Sequence, residues 1–369
     1  MIMLSYFAVP FVLYFAIHFI VKQAYLSLTR IRFINEHGCL PAEKKPLGGD
    51  PILGLSFLLE TIRRAKNSEY MQCALERFRL FGTTYVNKRL LYETISTIDP
   101  ENVKAVVLTN FDDFQMPDIR LKAMKPLFGD GIFVNDGPKW AHFRGLLRPI
   151  FTRQSMAPLL SMTERHFQVL LRRLPTNGTT CDLRELFYDF TLDTATEFLL
   201  GSSTHTLDPE HSTVVEAQFA SDYLACCREA VNILQLGPLH WLSRKSRLRV
   251  ERDRAWAFVD RYVDETLRLR DLNKMHATTD LDRNSDDYNL LSELARDTDN
   301  RDLLRAQILN VLLASRDTTA ALLGNLFFML ARHPEAYAKL RDEVLAHVGH
   351  GLPTEAHLKA MTWLRYCIN

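Results

Sequence analysis

The sequence predicts a mostly α fold with a small β-sheet, preceded by one transmembrane helix. Apolar residues recur at helical spacing through most of the chain after Ser155. Two short stretches near residue 90 instead alternate apolar and polar side chains, the period of a strand. Met1 to Val21 carries no charged side chain over a length that suits a membrane span.

Taken in order, the elements begin with that anchor, residues 1–21. Pro10 kinks it and His18 sits toward its interfacial end. It lacks the basic start and the small-x-small cleavage site of a secretory signal, so an anchor is the expectation. Lys22, Arg30 and Arg32 follow, which places the remainder in the cytoplasm, on the endoplasmic reticulum surface of a eukaryotic cell. Residues 22–54 form a linker stiffened by Pro41, Pro46, Gly48, Gly49, Pro51 and Gly54. Residues 55–369 form one globular domain.

Within it, Glu69 to Leu80 has helical spacing, Thr83 to Lys88 and Tyr92 to Thr97 alternate as strands, and Asp99-Pro100 caps a helix. Further helices are expected over Ser155 to Leu174, Leu183 to Leu200, Thr213 to Leu234, Arg247 to Arg270, Arg301 to Arg332 and Glu335 to Val348. Asp271 to Tyr288 is a polar surface loop without chemistry. Leu234 to Leu242, with Gly237, Pro238 and Trp241, is a turn that either touches a membrane or is buried.

Composition excludes some functions. Lys and Arg number 45 against 44 Asp and Glu, with no long basic block, so nucleic acid is not an expected partner. Six scattered cysteines form no secreted disulfide framework and suit a reducing compartment. No phosphate-cradling glycine loop or zinc spacing occurs. Asp189, Asp193 and Glu197, four apart, fit a solvated helix face.

Chemistry concentrates in Ala314-Ser315-Arg316-Asp317-Thr318-Thr319, an acid and an alcohol inside a helix built for burial. Upstream, Gly137-Pro138 starts a helix on which Trp140 and Arg144, four apart, share a face. An indole N–H and a guanidinium can there reach one anion; the bland alternative is a core Trp and a surface Arg. Arg332-His333-Pro334-Glu335 ends one helix and starts the next, because Pro334 cannot continue the hydrogen-bond ladder.

Together these runs resemble the cytochrome P-450 superfamily, whose central helix carries Ala/Gly-Gly-x-Asp/Glu-Thr-Thr/Ser across a haem. Ser315 departs from the pattern, standing where the family has glycine. The resemblance implies haem b (iron protoporphyrin IX) as cofactor, with Trp140 and Arg144 on a propionate. It implies Asp317 and Thr318 as the catalytic proton relay, and Ala314, Ser315 and Thr319 around the oxygen and substrate pocket, Thr319 mainly by packing. Arg316 is expected to pair with a neighbouring acid. The iron of this family is held by a cysteine thiolate in a Phe-x-x-Gly-x-Arg-x-Cys-x-Gly loop, and none of Cys39, Cys73, Cys181, Cys226, Cys227 or Cys367 fits it, so no metal ligand is expected within these residues. Met361 to Asn369 resembles the opening of the helix that carries Glu-x-x-Arg in the family, and the chain is expected to lack that helix's remainder.

The resemblance further implies a membrane-bound monooxygenase fed by an NADPH-dependent P-450 reductase. Gly129-Asp130-Gly131-Ile132-Phe133-x-x-Asp136-Gly137 and Arg316-Asp317-Thr318-Thr319-Ala320 look most like fungal members that hydroxylate fatty acids or alkanes, so an apolar substrate follows. Two other readings stand beside it: an inactive fragment of such an enzyme, and a haem-free membrane-anchored binding module.

Overall fold

A computed structural model describes residues 17–18, 21, 24–38, 54–89, 92–151, 158–236, 248–275 and 289–369. Most of the expected anchor lies outside these, as do Cys39, the turn around Gly237 and Trp241, and residues 276–288. Among the described residues no helix is long and apolar enough to cross a membrane. The chain divides into two compact units, Met1–Asp113 and Phe114–Asn369.

The first unit holds helix α1, described over 24–37, then α2 (Leu55–Lys66), α3 (Tyr70–Phe81), strands β1 (Thr84–Arg89) and β2 (Tyr92–Thr97), and α4 (Pro100–Lys104). Residues 24–37, expected as linker, are helical because the helix-breaking Pro and Gly begin only beyond them. The strands pair antiparallel from Thr84 opposite Thr97 to Arg89 opposite Tyr92, as the alternation predicts. Asp99 caps α4, accepting from the backbone N–H of Glu101 and Asn102. Helix α2 escaped the periodicity because its buried positions are few, Phe57 and Thr61. They are held by Arg77 of α3, which lies 3.8 Å over the Phe57 ring and donates to Thr61 Oγ1 at 2.9 Å and to Glu60 at 3.0 Å.

The second unit is helical throughout its described length: α5 (Asp118–Phe128), α6 (Gly137–Leu147), α7 (Pro158–Arg173), α8 (Leu183–Leu200), α9 (Val214–Leu236), α10 (Leu248–Met275), α11 (Leu290–Asp297), α12 (Arg301–Arg332), α13 (Pro334–His347), α14 (Glu355–Ala360) and α15 (Thr362–Ile368). Helix α12 is the axis, packing on α8, α10, α11, α5, α13 and α15. Its Leu304, Ile308, Leu309 and Leu312 are at most 1 % exposed within the main core, and each such side chain contributes about 2 kcal/mol of burial. A second cluster joins Ala320 of α12 to Leu186, Phe187 and Phe190 of α8 and Leu170 of α7. Helix α5 was missed because Pro126 stands inside it, in the last turn, yet Ala123, Met124, Leu127 and Phe128 are buried. Helix α10 runs past the expected end at Arg270 to Met275. Glu343 of α13 accepts from the backbone N–H of Trp363 and Leu364, both at 2.8 Å, and so caps α15.

The four-residue row of acids is not a solvated face. Asp193 is 1 % exposed: Oδ1 accepts from Thr204 Oγ1 at 2.9 Å and from both N–H and hydroxyl of Thr206 at 2.8 Å, and Oδ2 accepts from Leu207 N–H at 2.8 Å. Glu197 binds Arg165 and His166 of α7. The spacing was right for one helix face, but that face meets α7 and the segment 203–207.

Candidate functional site

Asn300 starts α12 by accepting from Leu303 N–H at 3.0 Å. The first half of the helix is buried all round, which is why its composition shows no preferred face. Two polar side chains there clamp the segment leading into α6. Gln307 Oε1 accepts from Ile132 N–H at 3.2 Å and Asn310 Oδ1 from Phe133 N–H at 3.0 Å, while Asn310 Nδ2 donates to Phe128 O at 3.1 Å and Ala306 O at 2.7 Å. Asn135 Nδ2 closes the turn onto Gly131 O at 2.7 Å. A Cβ on Gly131 would lie 2.2 Å from Asn310 Nδ2, so only glycine admits this approach. Gln307, Asn310 and Asn135 escaped sequence reasoning; the signal was three buried amides, which burial obliges to find partners.

The acid and alcohol stand one to two turns further on, where α12 changes character. Arg316 and Ala320 remain buried, whereas Thr318, Thr319 and Leu322 are exposed, as are Phe328 and Met329. Thr318, Leu322, Asn325 and Met329 follow one another at helical spacing, so this half exposes a row in which the apolar Leu322 and Met329 alternate with Thr318 and Asn325. The expectation that the acid and alcohol are buried is therefore corrected: the Asp317 side chain is 48 % exposed and Thr318 lies at the surface of the described residues. Thr319, expected to pack, is exposed too.

Each polar side chain of the turn has a defined partner. Thr318 Oγ1 donates to Ala314 O at 2.7 Å, which leaves its oxygen free to accept a further hydrogen bond. Ser315 Oγ bonds back to Val311 O at 3.0 Å and Leu312 O at 3.3 Å, so its hydroxyl is spent on the helix backbone. Arg316 does pair with a neighbouring acid: its Nη1 donates to Asp317 Oδ1 at 2.6 Å. Ala314 is half-buried one turn before Thr318.

Helix α6 starts as predicted, with Asp136 accepting from Gly137 N–H at 2.8 Å and Pro138 in the first turn. Trp140 is half-buried against the main core, and Arg144 is exposed with no ion-pair or hydrogen-bond partner among the described residues. In the described residues the pair stands as a half-buried Trp on the core and a surface Arg. The clamp by Gln307 and Asn310 ties the segment before α6 to α12.

Cys73, Cys181, Cys226, Cys227 and Cys367 are free, and no cluster of His, Cys, Asp or Glu among the described residues could hold a metal. Burial pushes the Cys226 and Cys227 thiols up to about 12, which keeps them protonated and unsuited to ligation.

The family model of the cytochrome P450 proteins matches residues 46–369. Over 93 % of this chain and 66 % of the relative's length, the sequence is 38 % identical to the cytochrome P450 monooxygenase FPY7 of Fusarium mangiferae. It is 36 % identical to the cytochrome P450 monooxygenase fsdH of Fusarium heterosporum, over 95 % of this chain and 62 % of the other. It is 34 % identical to cytochrome P450 52A12 of Debaryomyces hansenii, over 88 % of this chain and 62 % of the other. The chain thus spans less than two thirds of the length of these relatives.

Proposed function

Because the chain belongs to the cytochrome P450 family, we propose that it forms the distal part of a haem-thiolate monooxygenase that hydroxylates an apolar substrate. The observation that carries this reading is the turn Ala314 to Thr319, where a small residue, an acid and an alcohol border the exposed apolar residues Leu322 and Met329 of α12. Residues on this side would suit a haem: Leu322 and Met329 expose apolar surface on α12, and Arg144, without an ion-pair or hydrogen-bond partner among the described residues, offers a guanidinium fork to a propionate. A fit on the thiolate side is not offered by Cys226 or Cys227, whose protons are firmly held.

Haem, when bound, supplies the activation of dioxygen. The chain's own residues orient and deliver protons. Trp140 and Arg144 would hold a carboxylate of the cofactor. Asp317, half in solvent, exchanges protons with water, and Thr318, its own proton committed to Ala314 O, accepts a hydrogen bond from a water and fixes it beside Ala314. Ser315 takes no part, since its hydroxyl is turned back onto Val311 and Leu312. Substrate class rests on the resemblance of the runs 129–137 and 316–320 to fungal fatty-acid and alkane hydroxylases. Anchoring by residues 1–21 at the endoplasmic reticulum and electrons from an NADPH-dependent reductase complete the reading.

In a haem-loaded protein carrying these residues, Thr318→Ala is expected to keep the reduced carbon-monoxide difference spectrum and to divert electrons to hydrogen peroxide. Unchanged coupling of NADPH oxidation to product would refute the role of Thr318. A second reading for residues 1–369 by themselves is a fold that binds no haem, in keeping with the buried, protonated thiols of Cys226 and Cys227. A carbon-monoxide difference spectrum of this chain, compared with that of a longer protein containing the cysteine loop, separates the two.

A further inference from the structure

Asn177-Gly178 is the one asparagine–glycine pair in the sequence, and it lies in the connection from α7 to α8, where residues 175–180 are all exposed. Thr179 fixes the Asn177 side chain there: Oδ1 accepts from the Thr179 N–H at 3.1 Å and from the Thr179 hydroxyl at 2.6 Å. The N–H of Gly178 has no hydrogen-bond partner among the described residues. Gly178 sits at φ +79°, and a Cβ on it would meet nothing within 4 Å, so there is room around its nitrogen. A free main-chain nitrogen thus adjoins a side-chain amide whose oxygen already faces two donors.

We propose that Asn177 is a site of spontaneous covalent modification, at which its amide becomes aspartate and isoaspartate through a succinimide closed by Gly178. Hydroxide takes the proton of the Gly178 N–H, and the nitrogen attacks Asn177 Cγ; the N–Cγ bond forms while negative charge gathers on Oδ1 beneath the two Thr179 donors. The adduct collapses as the Cγ–Nδ2 bond breaks, and that nitrogen takes up a proton from water and leaves as ammonia. Water then opens the five-membered ring, at Cγ to give aspartate or at the main-chain carbonyl carbon to give isoaspartate. Nothing is oxidised or reduced: asparagine and water give the acid and ammonia. Other sites in the chain lack these conditions. Asn310 is fully buried with its amide nitrogen bonded to Phe128 O and Ala306 O, and at Asp136-Gly137 the glycine N–H is already held by the Asp136 carboxylate. The product carries a new carboxylate, which takes the formal net charge from +1 to 0 (+1 − 1). Isoaspartate also lengthens the main chain ahead of Asp182, which caps α8 by accepting from Arg184 N–H at 2.9 Å.

The test follows the tryptic peptide Leu174–Arg184 by mass spectrometry after the whole chain, without haem, is held at neutral and at mildly alkaline pH. The peptide is expected to convert to both acids, faster at the higher pH, while the peptide carrying Asn310 stays unchanged. Because Thr179 is aligned on the amide in the folded chain, conversion is expected to be at least as fast as in the urea-unfolded chain. A peptide that converts in urea but stays intact in the native chain overturns the proposal. Asn177→Gln would have to close a six-membered ring and is expected to release no ammonia; release at the parent's rate would refute the ring closure. Thr179→Val keeps the N–H donor and loses the hydroxyl, and is expected to slow conversion by about threefold, the contribution of one exposed hydrogen bond. An unchanged or faster rate overturns the part assigned to Thr179. Both substitutions lie in an exposed connection and spare the core, and no readout needs haem, so the outcome is separate from that of the Thr318 experiment.

Discussion

Asp193 shows what one buried carboxylate does when both of its oxygens are engaged. Four hydrogen bonds from Thr204, Thr206 and Leu207 fasten the segment after α8 to the helix. Asp193→Asn puts an amide N–H2 where at least one N–H or O–H now donates, and is expected to cost about 3 kcal/mol in urea unfolding. Glu197, one turn further along, is held below the usual carboxylate range, chiefly by the hydrogen bond from His166 and also by Arg165, in spite of partial burial. A depressed pKa gives stability that is present above the unfolded value near 4.5 and is lost as pH falls through the folded one. The acid limb of a thermal-stability profile is therefore expected to flatten as pH falls below the ordinary glutamate value in Glu197→Gln relative to the parent. At this scale the sequence showed the residues and their spacing, but not their burial: the same i, i+4 row suits solvent or a packed face equally well.

At the scale of elements, the contact that positions the site is between α12 and the segment from Phe128 to Asn135. Gly131 is pressed against Asn310, and a methyl group there has no room. Gly131→Ala is expected to destabilise by about 2 kcal/mol through overpacking. Asn310→Ala removes both the obstruction and the bonds to Phe128 and Phe133. The double variant is accordingly expected to be less destabilised than the sum of the two, by at least about 0.5 kcal/mol in a double-mutant cycle, because the residues touch. Strict additivity would mean that the close approach does not exist. Helix α12 itself was fully legible, from Arg301 to Arg332, because Asn300 caps it and Pro334 ends it. Helix α5 was not, since the proline that falls in its last turn imitates a breaker.

For the molecule as a whole, the decisive property of α12 is that its two halves differ although their compositions are alike. Leu309 is 1 % exposed and Leu322 is 43 % exposed on the same helix. Leu309→Ala is expected to cost about 3 kcal/mol by opening a cavity, and Leu322→Ser to change stability by no more than about 0.5 kcal/mol. A large loss in Leu322→Ser would show that the apolar face beside Thr318 is covered by the protein's own residues and does not await a ligand. By itself the sequence determined the helical class, the strand pair, the ends of α12 and the family, because caps, prolines, periodicity and short motifs act within a few residues of one another. Only the tertiary structure decided which face of α12 is open, that Arg316 turns inward to Tyr188 while Thr318 turns out, and that Asp193 is buried. Those outcomes depend on what packs against each helix from far along the chain, and an apolar pattern that runs all round a helix carries no information about which side meets a neighbour.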